Sequence, residues 1–191
     1  MNTSYNTIDG RQSYVTKSGD EWEVKVMNFV NEELKSLGSS LSVIRGRTIR
    51  PGSTIWQKLC ISPDEKQKEK IWGDIDLVVI DKDEEPVGII SCKTSLHGRF
   101  SETLFYALVL KKQIPGLKVV FATPDKGRQS KANIWQSEWG NEEKPTKDRL
   151  LASYLDSVYI LNEKTRLGGK IKRLAELPKD LIRWRRKSSL D

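Results

Sequence analysis

Trp22, Val26, Phe29 and Val30 recur at helical spacing and are continued by Leu34 and Leu37. This predicts a helix over 19–37, capped by Ser18 or Asp20 and ended at Gly38. Residues 1–17 read as a polar lead-in. Residues 41–50 and 54–61 read as strands, the first closed by Pro51-Gly52, and 63–70 as a charged loop or short helix. The strongest strand is 75–81, followed by a tight acidic turn at 82–86. A second strand at 87–93 is apolar on both faces, as in the middle of a covered sheet, and the two make a hairpin. A helix over 99–112 carries Phe100, Leu104, Ala107, Leu108 and Leu110, and Gly116 precedes a third apolar strand at 117–123. Residues 124–147 are polar, with Trp135 and Trp139 set among charges, and read as irregular or mobile. A short helix at 150–155, a strand at 157–161 and a basic segment at 164–187 ending in a helix complete the chain. The order predicts an α/β fold, a central mixed β-sheet flanked by helices on both faces.

A chain of 191 residues suits a single domain, here 1–191. No apolar run approaches the ~18 residues of a membrane span, and the first ten residues lack the apolar stretch of a secretory signal. Two cysteines, Cys60 and Cys92, and one histidine, His97, make neither a disulfide framework nor a zinc site. Histidine-based catalysis is thereby disfavoured, and a reduced cytoplasmic setting is expected. Charge changes the picture by its position. Residues 164–191 hold 10 of the 33 Lys and Arg but 3 of the 26 Asp and Glu, so the whole net +7 lies there. A basic end of this kind fits either a polyanionic partner, most simply nucleic acid, or a solvated tail.

One set of residues carries candidate chemistry. Asp74 and Asp76 open the strongest strand, and Lys93 ends the next one, within Ser91-Cys92-Lys93. Antiparallel pairing through the tight turn brings the start of one strand beside the end of the other. Alternation puts Ser91 and Lys93 on one face with Cys92 on the other, and gives Asp74 and Asp76 a common face. Carboxylates, a lysine and a hydroxyl then converge. Magnesium is bound by one or two carboxylates plus water and phosphate oxygens, and a lysine beside it can hold the scissile phosphate. The grouping suits phosphodiester hydrolysis and needs no histidine.

The stretch from Gly73 to Val79, with Ile89-Ile90-Ser91-Cys92-Lys93-Thr94-Ser95, resembles the core motif of the PD-(D/E)xK nuclease superfamily. The continuation to Glu102 is similar to the stretch after the catalytic lysine in several type II restriction endonucleases, and Gly19-Asp20-Glu21-Trp22-Glu23 resembles the helix that supplies an extra acid in related nucleases. The resemblance spans about residues 18–123. It implies Asp76 as the metal-binding aspartate, with Asp74 as the alternative, and Lys93 as the catalytic lysine. It implies Glu23 rather than Glu21 as the helix-borne carboxylate, and the Cys92 carbonyl as a further ligand of Mg2+. Ser91 departs from the pattern, because a neutral hydroxyl stands where an acid is usual. Either Glu23 restores the missing charge, or metal binding is weaker, or the site is inactive. Pro63-Asp64 spells the motif's opening letters but precedes the strand.

Among the remaining residues, Cys60 and Cys92 read as core thiols and His97 as a polar loop residue. Arg99 and Glu102 stand one helical turn apart, and the resemblance brings both toward the active site. Arg99 is a candidate DNA contact, as are Arg183, Arg185 and Arg186 around Trp184. Arg45, Arg47 and Arg50 form either a phosphate-facing stripe or a solvated edge. The expected function is a Mg2+-dependent DNA endonuclease acting on double-stranded DNA. With its length and motif region it resembles the small cleavage subunit of a heterodimeric type IIS restriction endonuclease, and this resemblance implies reliance on a larger DNA-recognition subunit. The alternatives are a homodimeric type II restriction endonuclease, then a repair or junction nuclease and, from another class, a DNA-binding module with a decayed site.

Overall fold

A computed structural model of the chain describes residues 8–62, 69–96, 100–130 and 133–188, with side chains described between residues 18 and 185. The chain runs through α1 (Ile8–Ser36), β1 (Ser42–Arg45), α2 (Thr54–Leu59), β2 (Leu77–Ile80), β3 (Pro86–Cys92) and α3 (Phe100–Gln113). It continues through β4 (Lys118–Thr123), β5 (Arg128–Gln129), β6 (Trp135–Gln136), α4 (Lys147–Leu151), β7 (Ser157–Ile160), β8 (Ile171–Arg173) and α5 (Leu177–Ser188). Six strands make one mixed sheet in the order β1-β2-β3-β4-β7-β8, while β5 and β6 pair separately. β1, β2 and β3 pair antiparallel, and β3, β4, β7 and β8 run parallel.

The strands are apolar on both faces because both faces are covered. Leu77, Val79, Ile90, Cys92, Val120, Ala122 and Tyr159 pack with Trp22, Val26, Val30 and Leu34 of α1 and with Leu177 and Leu181 of α5. The alternate residues Val78, Ile80, Ile89, Val119, Phe121, Val158 and Ile160 pack with α2 and α3. This is the expected α/β architecture, a mixed sheet flanked by helices on both faces. Among the described residues, no helix is long and apolar enough to cross a membrane.

Four local expectations are revised. Residues 54–61 form no strand; Thr54–Leu59 is helical, with the Ser53 hydroxyl accepting from the Trp56 N–H. Ile55 and Leu59, four residues apart, both enter the core, so the apolar period is helical. The first helix begins at Ile8, within the expected lead-in, and the strand over 41–50 shrinks to Ser42–Arg45 before a short 3-10 turn. The segment 124–147 is organised by long-range contacts. Trp139 is fully buried, edge-on to Phe100 at 5.3 Å and Phe121 at 5.9 Å.

Candidate active site

β2 and β3 pair with Leu77 opposite Ile90, so residues just before β2 meet residues at the end of β3. The Lys93 Nζ lies 2.8 Å from Asp74 Oδ2 and 3.2 Å from Asp76 Oδ1. The backbone N–H of Cys92 donates to Asp76 Oδ2 at 2.7 Å, and the Ser91 hydroxyl donates to the same oxygen at 3.3 Å. Two glycines hold this strand entry. The Gly46 N–H donates to the Asp76 carbonyl at 2.8 Å, and a Cβ there would lie 1.9 Å from the Ile75 carbonyl oxygen. A Cβ on Gly73 would lie 2.4 Å from the Tyr106 ring, so the chain passes flush against α3 just before Asp74.

Exposure grades across the cluster. The side chain of Lys93 is 6 % exposed, Asp76 13 % and Asp74 57 %, so the group opens to solvent on the Asp74 side. Burial pushes the Asp76 carboxyl above the usual carboxylate range, against the downward pull of the Lys93 ammonium and the Cys92 N–H. Burial works against the Lys93 charge too, but Asp76 and Asp74 outweigh it and hold the ammonium above its ordinary value. With both acids ionised, the cluster carries a net charge of −1. Behind the carboxylates, Thr103 and Tyr106 of α3 close a cavity of about 10 Å³, room for about one water. The cluster is therefore reached from the Asp74 side.

The structure brings Asp74, Asp76, Ser91 and Lys93 together on the face covered by α3. Ser91 is also tied to Thr103, with the two hydroxyl oxygens 2.8 Å apart. Glu23 does not join them. It lies on α1, which covers the face to which Cys92 points, and its carboxylate accepts from the Arg45 guanidinium. Arg45 also reaches Asp20 at 2.9 Å, and Arg47 reaches the same acid at 2.7 Å, so these two arginines form an ion-pair network with α1. Among the described residues, no three His, Cys, Asp or Glu side chains converge as a metal cage. The available donors are the two aspartates and the Cys92 carbonyl, which lies on the same strand edge as the Cys92 N–H bonded to Asp76. Two carboxylates and a carbonyl fit a magnesium ion that keeps several waters. The Cys92 thiol itself is buried and pushed well up by burial and by the negative charge of Asp76 and Glu23, so it stays a neutral core thiol.

The other candidates lie elsewhere. Asp64, His97, Arg99 and the side chain of Arg186 fall outside the described residues. Arg183 pairs with Asp180 at 2.6 Å, and Arg185 pairs with Asp81 at 2.7 Å, at the opposite end of β2 from Asp76. Glu102 is exposed in the first turn of α3. Thr103 and Tyr106, which back the cluster, escape a reading of the sequence; their spacing of three on one helix face is the available signal.

Residues 52–180, about two thirds of the chain, match the family model described as BsaWI restriction endonuclease type 2. The match takes in Asp74, Asp76, Ser91 and Lys93 and leaves out α1 with Glu23. No curated protein matches the sequence. A mixed sheet with an acid–lysine cluster at one strand end and a family match over most of the chain lead to one assignment: the chain belongs to the BsaWI type II restriction endonuclease family, whose members are site-specific deoxyribonucleases.

Proposed function

We propose that this endonuclease hydrolyses a DNA phosphodiester bond with Mg2+ at the cluster of Asp74, Asp76, Ser91 and Lys93. The observation that carries the reading is the Lys93 ammonium, 6 % exposed and held between two aspartates at the open end of β2 and β3. Type II restriction endonucleases generally use divalent ions, and the oxygen donors here are hard. What such an ion supplies when held by Asp76, Asp74 and the Cys92 carbonyl is Lewis acidity toward the scissile phosphate. The Cys92 N–H and the Ser91 hydroxyl orient Asp76. Lys93, fixed by its two acids, offers its remaining N–H donor to a phosphate oxygen and stabilises the charge that grows there. The net −1 of the cluster leaves a divalent ion attracted and an incoming phosphate tolerated. Ser91 keeps that balance, since an acid in its place would add a second negative charge.

One such centre per chain cuts one strand, so a double-strand break needs two chains. We assign residues 1–191 to one cytoplasmic nuclease domain that acts as the cleavage subunit beside a larger recognition subunit. What supports this reading is that the sheet and its covering helices take up most of the described residues and build one cleavage centre. One observation favours a self-sufficient homodimer instead: the matched family is named for a restriction endonuclease rather than for a subunit. Nicking and linearisation of supercoiled plasmid in magnesium, with and without extract of the source cells, separates them. Site-specific linear product from the chain alone supports the homodimer. Cutting restored by extract, and lost with Lys93→Ala, supports the cleavage subunit. Metal-independent DNA binding without cutting under either condition overturns the hydrolysis reading.

A further inference from the structure

The parallel strands β3, β4 and β7 end on the same side of the sheet as the Asp76–Lys93 cluster. The connections leaving β4 and β7 enclose a second feature there, an open groove of about 500 Å³. Lys144, Lys164 and Arg166 line it together with Trp135, Gln136 and Asn141. No carboxylate lines it, and none of the three cations forms an ion pair with another described residue. The cavity at the other end of the sheet, about 230 Å³, differs in kind: Asp81 and Glu85 line it beside Lys118 and Arg185.

The walls of the groove are built rather than incidental. Asp125, fully buried just after β4, accepts from the Ser137 hydroxyl at 2.6 Å, the Glu138 N–H at 3.1 Å and the Thr165 hydroxyl. Its carbonyl accepts from the Asn162 amide at 2.9 Å. One carboxylate thus ties the loop carrying Trp135 and Gln136 to the loop carrying Lys164 and Arg166. The Trp135 indole N–H donates to the Lys126 carbonyl at 2.9 Å, against Gly127, where a Cβ would lie 2.1 Å from the indole nitrogen. The ring is therefore fixed in the wall.

We propose that this groove grips a strand of the substrate DNA beside the scissile phosphate, with Lys144, Lys164 and Arg166 neutralising its phosphates. Cations outside ion-pair distance of any described carboxylate match a polyanion, and their place at the cleaving end of the sheet matches the DNA that must lie there. The amides of Gln136 and Asn141 and the indole of Trp135 offer partners for sugar and base, so the groove suits a nucleotide strand better than a bare anion. The inference rests on the assignment of DNA as substrate and deepens it.

The test is the salt dependence of binding to a labelled duplex, followed by fluorescence anisotropy in chelator, so that nothing is cut. Each phosphate contact contributes about 0.9 to the slope of log affinity against log salt. The triple variant Lys144→Gln, Lys164→Gln, Arg166→Gln is expected to lose about 2 to 3 from that slope. A charge-matched control, Lys35→Gln, Lys82→Gln, Lys112→Gln, removes exposed lysines at the opposite end of the sheet and should keep the wild-type slope. Circular dichroism checks folding; if the triple variant fails it, the three single variants should each lose about 0.9. A wild-type slope in the folded groove variants overturns the inference. So does a changed sedimentation mass with an unchanged slope, which makes the groove a subunit contact. A chain that binds through the groove yet never cuts sinks the hydrolysis reading and leaves this inference standing.

Discussion

β2 has an aspartate at each end, each facing a base, and the two ends behave in opposite ways. At the far end, Asp81 is 4 % exposed and fully partnered. Its Oδ1 accepts from the N–H groups of Asp83 and Glu85, both at 3.0 Å, and its Oδ2 faces Arg185 at 2.7 Å. Burial pushes that carboxyl up, yet the two amides and the arginine win and hold it below its usual value. At the near end, Asp76 has Lys93, one amide and a hydroxyl, and burial wins instead. The same residue type on the same strand closes a turn at one end and holds unsettled charge at the other. What separates them is the number of donors supplied against the water removed, and an under-supplied carboxylate is the one that can take a cation.

The sharpest way to break the comparison is to remove a base at each end. Lys93→Ala should lower single-turnover cleavage by at least about 10³-fold, because it removes the donor aimed at the developing phosphate charge. Arg185→Ala should leave the cleavage rate within about twofold and show up in the melting curve instead, as loss of a charge-assisted bond. Equal cleavage by both variants would mean the near end is merely another structural pair. A smaller effect is expected at Ser91. Ser91→Ala deletes one hydrogen bond to Asp76 and one to Thr103, and should slow cleavage about tenfold. An unchanged rate would show that the Cys92 N–H alone orients the carboxylate.

The near end is legible in the sequence because local rules build it. Period-two alternation and a tight turn suffice to bring Asp76 to Lys93 across β2 and β3. Asp81 reads only as the end of a strand, since nothing in its neighbourhood announces Arg185, over a hundred residues away. The family resemblance places Glu23 in the site, as the acid beside the apolar stripe of the first helix. That stripe names the buried face of α1 but not which face of the sheet it covers, and α1 covers the face opposite Asp76. The segment 124–147 reads as irregular because its order comes from Asp125, Thr165 and Phe100, none of which is a sequence neighbour of Trp139. Residues 54–61 mix apolar and polar positions in a way that fits either period; only Ile55 and Leu59 entering one core decides for the helix.

Neutralising each acid should shift stability in opposite directions. In Asp81→Asn, an amide NH2 is set against the Arg185 guanidinium, which should lower stability by about 2 kcal/mol, a fall of roughly 4 to 8 °C in melting temperature. In Asp76→Asn, measured in chelator at neutral pH, a charge that burial disfavours disappears. The melting temperature should hold or rise by about 3 °C. A fall as large as that of Asp81→Asn would show that Lys93 over-compensates the burial of Asp76.

The smallest effect lies in the pH dependence, and its sign carries the comparison furthest. The folded state holds Asp81 below 3.8, so the unfolded chain binds more protons and stability rises with pH through that range. The contribution of Asp81 is full above its ordinary value and is lost as pH falls through the depressed folded one. Asp76 is raised above 3.8, so the folded state binds more protons. Its contribution is full below the ordinary value and is lost as pH rises through the elevated folded one. Unfolding in chelator between about pH 3 and pH 7 should therefore give two difference curves of opposite slope. Wild type minus Asp81→Asn should climb with pH, and wild type minus Asp76→Asn should descend. Asp180, also held low by Lys172 and Tyr159 against its burial, is present in all three proteins and cancels from both differences. Two curves of the same slope would mean that Asp76 is as well supplied with donors as Asp81, and the near end would lose its claim to be the place where a cation is wanted.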